Sequence, residues 1–168
     1  MIARTVAARA AASVVLAGAL VVGTTGCAFV STQATLIQYD PSDGVGVDVG
    51  NVHVRNVIAL INEDASAVSL MITLVNSSQR SVNMNIQYES DGVKTTVTKP
   101  INAGAVARYG TTVDDTQIIV VNPSVKAGGL LPVYLQYGDN EGKQILVPVL
   151  NADHNPEYDG LFPASLNG

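Results

Sequence analysis

The chain has no tryptophan and only one cysteine, Cys27, in 168 residues. A single thiol forms no internal disulfide and no thiolate metal cluster, so burial alone must hold the fold together. The missing tryptophan and cysteine pair also exclude an antibody-type immunoglobulin domain, though not the wider sandwich class. Basic residues are scarce as well: nine Lys and Arg stand against fourteen Asp and Glu. Such a balance excludes nucleic acid as a partner, because phosphate binding needs clustered cations. It equally disfavours electrostatic adhesion to anionic lipid. Long apolar runs are lacking: the longest, Ala10 to Val22, has thirteen residues. A hydrocarbon core of about 30 Å needs roughly 20 residues of helix, so this stretch is too short for a permanent transmembrane span.

The stretch has another reading. Arg4 and Arg9 precede it and no acidic residue occurs before Cys27, which is the pattern of a signal peptide covering residues 1–26. It ends in Gly23-Thr24-Thr25-Gly26-Cys27, small residues before the only cysteine, as in a lipobox, with Thr24 where leucine or valine is usual. Cys27 is therefore the expected lipidation site. Two or three acyl chains at about 0.8 kcal/mol per buried methylene hold a protein stably on a membrane. The expected address is the extracytoplasmic face of the cell membrane. Loss of Arg4 and Arg9 leaves seven basic against fourteen acidic residues, a net charge of −7 over the 142 residues from Cys27 onward. A chain of that length makes one domain with an ordinary core.

After a short tether, residues 27–33, the sequence reads as strands. Ala34–Tyr39 has the pattern of an edge strand, followed by the turn-rich Asp40-Pro41-Ser42-Asp43-Gly44. Val52–Ile61 alternates, with Val52, Val54, Asn56, Ile58 and Leu60 on one face. Val68, Leu70, Ile72 and Leu74 repeat the period of two, as do Val82, Met84, Ile86 and Tyr88. Asn76-Ser77-Ser78-Gln79-Arg80 between them reads as a hairpin-like turn. Val93–Thr98 follows, closed by Pro100; then come 104–109, 117–121, 132–137 and 144–150, the last two joined across Gly138–Gly142. These short strands, regular turns and the lack of a helical period define an all-β fold: an antiparallel immunoglobulin-like or cupredoxin-like β-sandwich of seven to eight strands, residues 34–150. Residues 151–168, rich in Asn, Asp, Pro and Gly, read as a flexible C-terminal tail.

The run Val125-Lys126-Ala127-Gly128-Gly129-Leu130-Leu131-Pro132-Val133, then Gln136–Lys143 and Val147-Pro148-Val149, resembles the closing hairpin of the periplasmic copper-chaperone-like (PCuAC-like) domain family. Cys27, Tyr39 and Asp43-Gly44-Val45 resemble the corresponding parts of divergent actinobacterial lipoproteins of that group. The resemblance spans about residues 34–150 and implies a cupredoxin-like or immunoglobulin-like sandwich. It does not bring copper with it. The family's copper sites use methionine and histidine late in the domain, and Gly128–Tyr137 contains neither. The candidates after the signal are Met71, Met84, His53 and His154. Met84 reads as core, Met71 as lying on the opposite face of its strand, His53 as a solvated strand residue beside Arg55, and His154 as part of the tail.

Other chemistry is weaker still. Asn155-Pro156-Glu157-Tyr158 approaches the base-gripping motif of amino methyltransferases, but the second proline, a glycine-rich loop and a basic cleft are missing. Asp40, Asp43 and Asp48 supply hard oxygen ligands without the one-three-five spacing of a calcium loop. Serines occur without a nucleophile elbow. The expected protein is therefore not an enzyme and carries no cofactor. It is a lipid-anchored module that binds an envelope protein, peptide or wall component, with metal handling as the alternative. Cys27→Ala is expected to abolish metabolic labelling with fatty acid and to leave the protein uncleaved or released; labelling retained in that variant would refute the anchor.

Overall fold

The computed structural model describes residues 2–30, 42–152, 156–158 and 160–162. The chain divides into two units, Met1–Tyr39 and Asp40–Gly168. In the first, Ile2–Val30 forms a single helix, α1, as an alanine-rich stretch without proline allows. The helix backbone runs on through Cys27 to Val30, taking in the first four residues of the expected tether. No helix among the described residues is long and apolar enough to cross a membrane. The edge strand expected at 34–39 lies outside the described residues.

The described residues of the second unit form nine strands: β1 (Val45–Val49), β2 (Val52–Ile61), β3 (Ala67–Asn76), β4 (Val82–Ser90), β5 (Val93–Ile101), β6 (Val106–Tyr109), β7 (Ile119–Val121), β8 (Leu130–Gln136) and β9 (Lys143–Asn151). One layer holds β1, β2 and β3, with β6 and β7 on the far side of β3. The other holds β5, β4, β8 and β9 in that order. β9 belongs to both: Lys143–Pro148 pairs with β8, and Val149–Asn151 then pairs with β2. That second pairing is parallel. The all-β sandwich expected from the sequence thus holds, with nine described strands and one parallel contact where seven or eight antiparallel strands are expected.

The side chains that alternate inward from both layers make one core. It includes Val54, Leu70, Ile72 and Leu74 from the first layer and Met84, Ile86, Val133 and Val147 from the second. β2 departs from simple alternation. Its register against β3 shifts between Arg55 and Ile58, where Asn56 has φ 49°. This bulge inserts one residue and exchanges the faces. Val52 and Val54 point into the core before it, and Val57, Ala59 and Ile61 after it. Asn56, Ile58 and Leu60 are therefore not core partners of Val52 and Val54 as the period predicts. Ile58 and Leu60 instead join a second buried cluster with Met71, Ala152 and Tyr158. Gly44 lies against the bulge so closely that a Cβ there would be 2.7 Å from the Asn56 carbonyl carbon.

Asn76–Arg80 is not a hairpin, because β3 and β4 lie in different layers. The corner is made by Asn76, only 1% exposed. Its amide donates to the carbonyls of Arg80 (2.8 Å), Asn102 (3.0 Å) and Ile101 (3.4 Å). Its carbonyl accepts from the Ser78 amide (3.0 Å) and hydroxyl (2.7 Å). Pro100 does not close β5, which continues to Ile101 opposite Val82. β5 is an outer strand, and a proline whose missing N–H faces outward costs it nothing.

In the segment read as a flexible tail, the described residues are docked: Pro156–Tyr158 forms a 3-10 turn, and Tyr158 is buried against the outer face of β2 and β3 with Leu161 and Phe162 at its side. Leu70→Ala and Ile72→Ala should each lower unfolding stability by about 2 to 5 kcal/mol, the range for emptying a packed aliphatic site. Thr73→Ala, on the other face of β3, should cost far less in the same denaturant titration. Asn76→Ala should cost about 2 to 4 kcal/mol, because three carbonyls, that of buried Ile101 among them, lose their donor together.

Candidate functional site

A surface cleft of about 620 Å³ opens where β4 and β8 separate. The two strands pair only at Asn85↔Gln136, Ile86↔Leu135 and Gln87↔Tyr134. Beyond Gln87, β4 continues to Ser90 and β8 extends back to Leu130 without pairing. Buried Tyr88 and Leu131 form the back of the cleft, Val125 a side, and Leu130, Pro132 and Tyr134 the outer floor. Gln87, Glu89, Lys94, Ser124 and Gln144 supply its polar rim.

Each wall is held in place. Burial pushes the Tyr88 phenol above its ordinary value. Tyr88 donates from that hydroxyl to the Ile119 carbonyl at 3.3 Å, which fixes the end of β4 to β7. Ser90 does the same to Val121 at 2.8 Å. Tyr134 lies so close to Gly142 that a Cβ at that glycine would overlap the hydroxyl end of the ring. That end is thereby occupied, and Tyr134 remains 39% exposed on the cleft. Gln87 donates to Thr96 at 3.0 Å, which orients its amide across the sheet. Outside the cleft the apolar surface continues through Leu130 and Leu146, 52% and 49% exposed. A concave site with apolar walls and a few fixed polar groups suits binding. It brings together no nucleophile, base and acid in hydrogen-bond sequence.

None of the candidate ligand or catalytic residues singled out in sequence lines this cleft. His53 lies on β2 opposite Asp48 of β1, with its Nδ1 2.9 Å from the Asp48 carboxylate. Arg55 reaches the same oxygen at 2.7 Å. Its guanidinium, and then His53, hold Asp48 below the usual carboxylate range. All three are substantially exposed. Met84 is in the main core and Met71 in the second cluster. Met71 pairs with Ile58 and His53 with Val75, four residues apart along β3, or about 13 Å at strand rise. His154 and Asp40 lie outside the described residues. No group of three or more His, Cys, Asp and Glu that could hold a metal occurs among the described residues. Asp43 does not join Asp48; it accepts the Tyr158 hydroxyl at 2.7 Å.

The cleft itself was not legible as a site. Tyr88 reads only as an alternating core position, Leu131 as part of the run that carries the family resemblance, and Tyr134 as an ordinary strand residue. The one local signal was Pro132 within an otherwise good strand pattern, which marks an edge or an interruption of the ladder.

No family model matches the chain. No curated protein matches it either. Among solved structures, the apo PmoF2 PCuAC domain aligns with TM-score 0.51 at 11% identity, over 64% of this chain and 96% of that one. The apo PCuAC domain from PmoF1 aligns equally well, TM-score 0.51 at 11% identity, over 63% of this chain and 98% of that one. The β unit thus has a PCuAC-like fold, in agreement with the resemblance carried by Val125–Val149. At this identity the likeness concerns the fold alone.

The Asp43 clasp makes the docked turn sensitive to alkali. Burial first, and then the Asp43 carboxylate, push the Tyr158 phenol up to about 12. An unfolded tyrosine titrates near 10, so the contribution of the protonated phenol is complete below about pH 10 and is lost as pH rises toward 12. Urea midpoints measured from pH 9 to 12 should fall more steeply for the native chain than for Tyr158→Phe. Parallel slopes would show that the clasp does not contribute.

Proposed function

We propose that this protein is an exported, non-catalytic binding module of the cell envelope, tethered to the membrane through lipid on Cys27. The ligand surface in this reading is the cleft between β4 and β8. The carrying observation is that cleft: apolar at its back and floor, edged by Gln87, Glu89, Lys94 and Gln144, and cut into an otherwise continuous sheet. The acidic balance of the chain and its single cysteine agree with a ligand other than nucleic acid or a thiolate-bound metal. The stretch before Cys27 supports export and anchoring, since it has the charge and length of a signal peptide.

Copper handling is the second reading, favoured by the PCuAC domains that share the fold. The donors among the described residues speak against it. A tight copper(I) site needs soft ligands converging on one point, whereas Met84 is sealed in the core, Met71 is covered by the docked turn and His53 is engaged by Asp48. The purified full-length protein, titrated in detergent against a competing copper(I) chelator, is therefore expected to show no stoichiometric submicromolar uptake. Uptake at that level, lost in a Met71→Leu, His53→Ala double variant, would replace the binding-module reading with metal handling.

A further inference from the structure

We propose that the cleft is a strand-addition site for an extended peptide carrying an apolar side chain. This inference rests on the binding-module reading and gives its ligand class.

The argument begins with two prolines. In an antiparallel ladder, successive residues turn their N–H and C=O alternately toward one neighbour and the other. Pro100 of β5 stands opposite Asn83. Having no N–H, it cannot belong to a hydrogen-bonded pair. Even-numbered residues of β4 therefore bond to β5, and odd-numbered ones face β8. Pro132 of β8 stands opposite Leu146 of β9. By the same reasoning it turns its main-chain edge away from β9 and toward β4.

The two deductions agree on the β4–β8 ladder. Its bonded pairs are Asn85 with Gln136 and Gln87 with Tyr134. The next in register would be Glu89 with Pro132. Here the ladder stops, because the proline has no hydrogen to donate to the Glu89 carbonyl. One step beyond, the Asp91 amide donates to the carbonyl of Asn122 in the loop after β7, at 3.3 Å. Glu89 is thus flanked on both sides by positions that have partners. Its own N–H and C=O face the cleft with no strand opposite among the described residues.

A donor and an acceptor side by side on a strand edge are matched by one residue of an added strand, which returns both bonds. The surrounding side chains fit a peptide. Alternate residues of an added strand point to opposite faces of the sheet. One would enter the space backed by Tyr88, Leu131 and Val125, and its neighbours would lie over Leu130 and Tyr134. Glu89 and Lys94, cross-strand partners at the rim, balance one another and impose no single sign of charge. A glycan would call for stacking surfaces, and Tyr134 is the one exposed ring lining the cleft.

The test incubates the full-length protein in detergent micelles with a library of acetylated, amidated hexapeptides, with chitotetraose as a separate probe. Retained peptides should share an apolar residue, and N-methylation of the backbone beside it should weaken binding by about tenfold, the scale of one lost hydrogen bond. Hydrogen exchange at the Glu89 amide should slow when peptide is added. Pro132→Val supplies the missing donor to the Glu89 carbonyl and lets the ladder close at that pair, which brings the carbonyl of residue 132 to the Glu89 N–H, so it should slow that exchange without peptide and weaken peptide binding. If that variant does not fold, exchange at Glu89 and the N-methyl series in the native chain decide the matter. No retained peptide, indifference to N-methylation, or unchanged Glu89 exchange would each overturn the inference. Retention of chitotetraose in place of peptide would overturn it and leave the binding module standing, whereas tight copper uptake would remove that reading too.

Discussion

The buried amide of Asn76 is the interaction on which this sandwich most depends. A chain leaving one layer for the other must turn at the rim, where main-chain groups lose their ladder partners, and buried groups left unmet cost more than most contacts supply. From a single side chain Asn76 meets four main-chain groups, the carbonyls of Arg80, Ile101 and Asn102 and the N–H of Ser78, and the Ser78 hydroxyl besides. Neighbouring bonds extend the same seam: the Asn76 amide to Ala105, Gly104 to Ser78, and Ser77 to Asn51. The exit from β3, the entry to β4, the passage from β5 to β6 and the β1–β2 turn are therefore tied together at one end. With that end fixed, the faces of β3 and β4 meet in register and the aliphatic core closes.

Proline organises the second layer by subtraction. Pro100 lies on the outer strand, where its missing N–H would have met only water, and it blunts an edge that could otherwise pair with another chain. Pro148 sits at the last β8 pairing before β9 crosses to β2. Pro132 is different because its missing donor falls inside the sheet and opens it. Pro100 protects the fold and Pro132 creates a gap, so the same chemistry separates structure from candidate function by position alone.

Much of this architecture was legible in the sequence, and the reasons for the failures are physical. β2 is legible with its observed bounds, and so is the β8–β9 hairpin across Gly138–Gly142, because alternation and glycine-rich turns are local signals. The bulge is not, since nothing in the spacing of Val54, Asn56 and Ile58 reveals that Asn56 adopts a positive φ. A turn signal such as Asn76–Arg80 shows that the chain reverses, but not whether it returns to its own layer. Docking of the segment around Tyr158 was hidden because composition speaks for solvation, whereas the pocket that receives it is assembled from Ile58, Leu60 and Met71. The cleft was least visible of all, as it arises from the register between strands whose neighbourhood is set by topology.

The clasp between Asp43 and Tyr158 joins two residues 115 positions apart. The first lies just ahead of β1, where the chain enters the sandwich, and the second follows β9, where the chain leaves it. Doorway and exit are therefore neighbours. A domain built this way behaves as a cassette: its two ends can be stitched together and new ones opened elsewhere, or the whole sandwich can be spliced into a loop of a host protein, with little rearrangement of its interior.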